Sequence, residues 1–160
     1  MRPLISVLVL VLALVAVSAA GGSTPSSGGT PTALVIRVTS HVTASFNDDH
    51  PPKGDSNGDR YLVRDELRNV GKQFGKAAGA VVGHDSGIIV VTGPRTGSFV
   101  GVAILPGGKI RFKGTLSLTS VPGPPLIVTG GTGRYARASG KVVIGPGGYP
   151  LNTYRLMLPV

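Results

Sequence analysis

Glycine- and proline-rich turns interrupt this chain at intervals too short for helices to fit between them, and that spacing limits the fold more than any other feature. The turns are Gly93-Pro94-Arg95, Pro106-Gly107-Gly108, Pro122-Gly123-Pro124-Pro125 and Gly145-Pro146-Gly147-Gly148. Between them the residues alternate with period two. Ile110, Phe112, Leu116 and Leu118 interleave with Lys109, Arg111, Lys113, Thr115 and Ser117, which predicts one buried face and one wet face. No long stretch of helical period follows residue 20. The domain reads as all-β.

A glycine-rich stretch, Val128-Thr129-Gly130-Gly131-Thr132-Gly133-Arg134-Tyr135, imitates a nucleotide-binding turn. A dinucleotide fingerprint needs a strand before it, a helix after it and a closing βαβ unit. Here the strand Pro125–Val128 is followed by a second short strand, Gly140–Ile144, with too little chain between them for a crossover helix. No acidic residue follows Gly133 to hold a ribose hydroxyl. The stretch reads instead as a corner between two strands of a barrel.

The same phase test picks out one acid. Along Gly58–Leu67, Arg60, Arg64, Glu66 and Arg68 share one face, while Tyr61, Val63, Asp65 and Leu67 share the other. Asp65 therefore lies in the apolar phase. A carboxylate there must be hydrogen-bonded, paired with a cation, or left protonated with a raised pKa. It is either a structural acid or a cavity acid that protonates or orients a ligand. On the final strand Tyr154 shares a phase with Leu156 and Leu158, so its ring points inward and its hydroxyl needs a partner.

Other chemistries fail on spacing. Asp55-Ser56-Asn57-Gly58-Asp59 with Glu66 imitates a calcium loop, but Arg60 stands where the sharp turn needs glycine. Asp48-Asp49-His50 runs into Pro51-Pro52 with no second histidine at ligand spacing, and His41 and His84 are isolated. No metal and no cofactor is predicted. A Gly-x-Ser-x-Gly turn is lacking, and Asp85-Ser86 beside His84 reads as a turn into an Ile88–Val91 strand. Without cysteine there is no thiol catalysis. Glu66 is the single glutamate and points outward, against a paired-carboxylate glycosidase.

Residues 1–20 have the parts of a secretory signal peptide: Arg2, an aliphatic run from Leu4 to Val17, and small residues for cleavage near Ala19-Ala20. The run is short for a spanning helix, so no membrane span is expected in the mature form, which is predicted to be secreted. Residues 21–32 hold only Gly, Ser, Thr and Pro and read as a flexible linker. Residues 33–160 form one domain. The formal charge of +9 falls to +8 without Arg2. With 5% aromatic residues and basic residues alternating along strands, nucleic acid is not the expected partner. An anionic cell envelope is compatible with the charge, as is self-association into an oligomer.

Four segments in order carry a family resemblance: Gly58–Leu67, Val70–Gly79, Phe99–Ile110 and Val128–Lys141. Together they resemble the dirigent/allene oxide cyclase-like barrel family over about Thr32 to Val160. The resemblance implies a single antiparallel β-barrel of about eight strands, whose interior is either filled or encloses one small ligand. It points to Asp65 and Tyr61 as catalytic candidates and to Tyr154, Arg134 and Tyr135 as ligand-binding candidates. In dirigent proteins the position after Gly-Gly-Thr-Gly is often acidic, and an Ala-Arg-Gly triplet closes the motif. Here those positions hold Arg134 and Ser139, a departure that touches stereoselective radical coupling and leaves the scaffold intact. Two expectations follow. One is an exported isomerase- or dirigent-type barrel that binds a small hydrophobic molecule and directs its cyclisation or coupling. The other is a non-catalytic barrel that holds a small apolar ligand or sits at the envelope.

Overall fold

The computed structural model describes residues 29–54, 56–119, 123–145 and 150–160. The signal peptide, its cleavage point and residues 21–28 of the linker lie outside them. So do Asp55 of the calcium-like spacing and parts of the two last turns, at 120–122 and 146–149. The strands are β1 (Thr32–Asp48), β2 (Arg60–Asn69), β3 (Val81–Gly93), β4 (Thr96–Leu105), β5 (Gly108–Ser117), β6 (Leu126–Gly131), β7 (Ser139–Ile144) and β8 (Leu151–Leu158). Each pairs antiparallel with the next, and β8 returns to β1 along Thr32–Thr39, so the sheet closes into an eight-stranded barrel. One 3-10 turn, Gly133–Tyr135, interrupts the all-β pattern. Among the described residues no helix is long and apolar enough to cross a membrane.

The alternation seen in the sequence becomes the two faces of the barrel wall. On β5, Ile110 and Phe112 are buried while Lys109, Arg111 and Lys113 are exposed, and Leu116 packs partly buried against the core. Leu118, expected on the buried side, is 40% exposed. It lies just past the end of β5, where the inner face opens at the barrel mouth. In the middle of the barrel three aromatic rings form a line. Phe99 and Phe112 have centroids 5.8 Å apart, and Tyr154 meets Phe112 edge-on at 5.9 Å. Gly87 and Gly101 face each other on β3 and β4. A Cβ at either position would strike the ring of Phe99. Glycine is required there because the ring occupies the space of two side chains.

The glycine-rich corner seals one end. Gly133 has φ +58°, and a Cβ on it or on Gly131 would run into the carbonyls of Gly107 and Lys109. The amide of Arg134 donates to Gly107 O at 2.7 Å. The amide of Lys109 donates to Thr132 Oγ1 at 3.1 Å, and the fully buried Tyr135 donates its hydroxyl to Pro106 O at 2.9 Å. The motif that imitates a phosphate loop is a seam between the β6–β7 corner and the β4–β5 hairpin. At the other end the β1–β2 loop is tied by buried Asp59. Its carboxylate accepts from the amides of Ser56 (2.7 Å) and His50 (2.8 Å) and from Ser56 Oγ (3.1 Å).

Phe112 is 3% exposed and touches both other rings of the line. Phe112→Ala is therefore expected to cost about 3–5 kcal/mol, and Lys113→Ala on the wet face no more than about 0.5 kcal/mol. Denaturant unfolding of the two variants checks the assignment, and equal losses would contradict it.

Candidate functional site

At the mouth tied by Asp59, the inner wall encloses an open cavity of about 590 Å³. Tyr61 and Val63 of β2, Ile89 and Val91 of β3, Pro94 and Leu118 form its walls, with Ser56 and Asn57 of the β1–β2 loop at its edge. The size and apolar lining suit a small organic molecule. On the next inward rung beyond Val63, about 7 Å along the strand, the lining changes character. Asp65 of β2 stands directly opposite Asp85 of β3, and the two carboxyls hydrogen-bond to each other.

Directly opposed side chains on one face of an antiparallel pair start about 5 Å apart at Cβ, and two carboxylates that close cannot both ionise without a large penalty. Burial pushes Asp85 up to about 7, helped by the charge of Asp65 and the hydrogen bond to it. Burial raises Asp65 as well, while the hydrogen bond from Asp85 and the charge of His41 pull it back. The pair thus holds one proton near neutrality, with Asp85 donating and Asp65 accepting. Asp65 Oδ1 and the hydroxyl of Tyr154 are buried and make no hydrogen bond among the described residues. Tyr154 is fully buried, and its phenol is raised well above the ordinary value by burial, then by the charges of Asp85 and Asp65. Three oxygen-bearing groups thus share one electrostatic neighbourhood inside the barrel, whose wall also buries the bonded pair Ser40 and Asn152.

Of the residues singled out from sequence, Asp65 and Tyr154 meet in this neighbourhood, and Tyr61 stands in the cavity wall two rungs from Asp65. Arg134 and Tyr135 lie at the sealed end, where Arg134 is exposed over Gly107 and Tyr135 is bonded to Pro106. Sequence reasoning missed Asp85. The run His84-Asp85-Ser86 has turn composition, but β3 extends from Val81 to Gly93 and carries these residues mid-strand. The signal was phase: Asp85 is spaced by even steps from Ile89 and Val91, both on the inner wall. Gly83 and Gly87 hid it by breaking the apolar run.

Because the folded-state pKa of Asp85 is raised, the folded protein binds that proton more tightly than the unfolded chain does. The contribution is complete below the ordinary carboxylate range and is lost as pH rises through about 7. The melting temperature is expected to fall between about pH 4 and pH 7, and Asp85→Asn is expected to flatten that slope. Thermal unfolding across pH checks this, and unchanged slopes in the variant would contradict it.

No family model matches the sequence, and no curated protein matches it significantly. Solved structures do match. A pyocyanin demethylase superimposes with a TM-score of 0.64 at 22% identity, over 77% of this chain and 99% of its own. A pterocarpan synthase dirigent protein gives 0.58 at 17% identity, over 80% and 83%. A Diels-Alderase from Streptomyces koyangensis gives 0.60 at 16% identity, over 82% and 70%. The barrel expected from the four sequence segments is therefore the observed one, and this chain has the fold of the dirigent and cyclase-type barrels.

Proposed function

We propose that this protein is an exported barrel that binds a small hydrophobic molecule at its open end and directs its cyclisation or coupling, with the Asp65–Asp85 pair as proton donor. The observation that carries this reading is a pair of directly opposed carboxyls on the inner wall, one rung beyond an apolar cavity. A general acid works best when its pKa lies near the working pH, and Asp85 is pushed up to about 7. The walls contribute orientation and exclusion of water, holding a flexible substrate in one reactive conformer. In this reading Asp85 donates to a substrate oxygen, Asp65 keeps that proton poised, and Tyr61 lines the approach. Arg134 and Tyr135, also candidates from sequence, act at most through the sealed end. Barrels of the same fold include a pterocarpan synthase dirigent protein and a Diels-Alderase, whose names describe ring-forming chemistry. Export rests on residues 1–20.

A second reading has its own support. The line of Phe99, Phe112 and Tyr154 fills the centre of the barrel, so a ligand can rest at the mouth without reaching the acids. In that case the protein is a binding barrel without chemistry.

A neutral fluorophore with one ketone oxygen, 6-propionyl-2-dimethylaminonaphthalene, separates the two, since its emission moves to the red when the ketone accepts a hydrogen bond. The catalytic reading expects saturable binding, with red-shifted emission at low pH and a blue step as pH passes about 7. Asp85→Asn should abolish the step. Asp65→Asn should move it to lower pH, because the charge of Asp65 helps to raise Asp85. Binding without a pH step would establish the non-catalytic barrel, and no saturable binding would defeat both readings.

A further inference from the structure

The outer face of β3 and β4 carries a feature that the cavity does not explain. Ile88, Val100 and Ile104 point outward there with 46%, 60% and 48% of their surface exposed. Each outward apolar residue in the central part of β4 stands directly opposite a cation of β5: exposed Val100 faces Lys113, half-buried Val102 faces Arg111, and exposed Ile104 faces Lys109. On the other flank Leu62 is opposite Ile88, and Arg60 and Arg64 of β2 line the edge. The face is concave, forming a shallow groove of about 600 Å³. It is an apolar strip two strands wide between two rows of positive charge.

The charges on those rows have few neighbours to neutralise them. Every Asp and Glu of the sequence lies between Asp48 and Asp85. Of these, Asp48 stands opposite Arg60 at the end of the β2 row, and Glu66 shares the outer face of β2 but is engaged by Arg68 at 2.6 Å. Asp65 and Asp85 point inward, and Asp59 is held by the β1–β2 loop. Strands β4 to β8 bring no acid at all.

We propose that this face docks on an anionic lipid surface, the apolar strip entering the interface while Arg64, Lys109, Arg111 and Lys113 meet headgroup phosphates. Charge complementarity selects this occupant. A second copy related by a two-fold axis would present the same patch, cations included, and supply no counter-charge. A bilayer of acidic lipid supplies both an apolar layer and a sheet of negative charge. Lysine and arginine stems cover apolar surface while their heads reach outward, so the two rows extend the strip rather than interrupt it. The proposal concerns the outside of the barrel and stands or falls apart from the cavity reading.

The chain has no cysteine, so one introduced thiol reports one position. In the full chain, Val100→Cys labelled with an environment-sensitive fluorophore is mixed with vesicles of phosphatidylglycerol and phosphatidylcholine, or of phosphatidylcholine alone. Met157→Cys, on β8 across the barrel, carries the same label as a control. The Val100 label is expected to shift to the blue with the acidic vesicles only and to lose most of the shift at about 0.5 M salt. The double variant Arg111→Ser and Lys113→Ser should need about fivefold more acidic lipid for each cation removed. A Val100 label that stays in water, that shifts equally with neutral vesicles, or that shifts no more than the Met157 label would overturn the proposal. The last result would assign binding to the N-terminal segment or to the whole surface. A shift that follows protein concentration without lipid would also overturn it, by showing a second copy on the strip.

Discussion

The pairing of β1 with β8 is the contact on which everything else depends. Eight residue pairs from Thr32↔Leu158 to Thr39↔Leu151 turn an open sheet into a ring and remove both of its edges. Once the ring is closed, each strand has an inside and an outside, and period two leaves no freedom about which residue goes where. Phe99, Phe112 and Tyr154 must then share a narrow interior. Glycine at 87 and 101 follows from that crowding. Closure also places Asp65 and Asp85 on the inner wall, where burial raises both and the charge of Asp65 raises Asp85 further.

Much of this was legible before any coordinates. The alternation of Ile110 and Phe112 with Lys109, Arg111 and Lys113 specifies a half-buried strand, and the turn spacing leaves no length for helices. The phase of Asp65 and of Tyr154 was equally plain, because Val63 and Leu67 flank the one and Leu156 and Leu158 follow the other in the same phase. What stayed hidden depended on register. Which residue stands opposite Asp65 is set by the β2–β3 pairing, with its irregularity at Leu67/Arg68, and no local pattern encodes that. Asp85 was further masked because glycines on both sides erased the apolar phase around it. Those glycines exist for reasons distant in sequence. Gly87 makes room for Phe99, and a Cβ on Gly83 would meet the carbonyl of Ile104.

The glycine-rich corner teaches the complementary lesson. Its resemblance to a phosphate loop is real at the level of backbone, since both need glycine where a chain must bend and approach another closely. In this barrel the approaching partner is the β4–β5 hairpin rather than a ligand. Arg134 and Tyr135 are drawn into that seam, which separates them from the cavity by the length of the barrel. A sequence motif thus fixed the position of a turn correctly without fixing what the turn contacts.

On this structure Asp65 and Asp85 act as one proton-holding unit inside the barrel. Carboxyl-carbon NMR titration of protein labelled at aspartate tests it most directly. One inward aspartate carboxyl is expected to titrate at about 7, and that titration should move toward the ordinary range when Asp65 is replaced by asparagine. If both carboxyls instead titrate near the ordinary value of about 3.9, independently of one another, the pair does not exist in solution and the proton-donor reading fails with it.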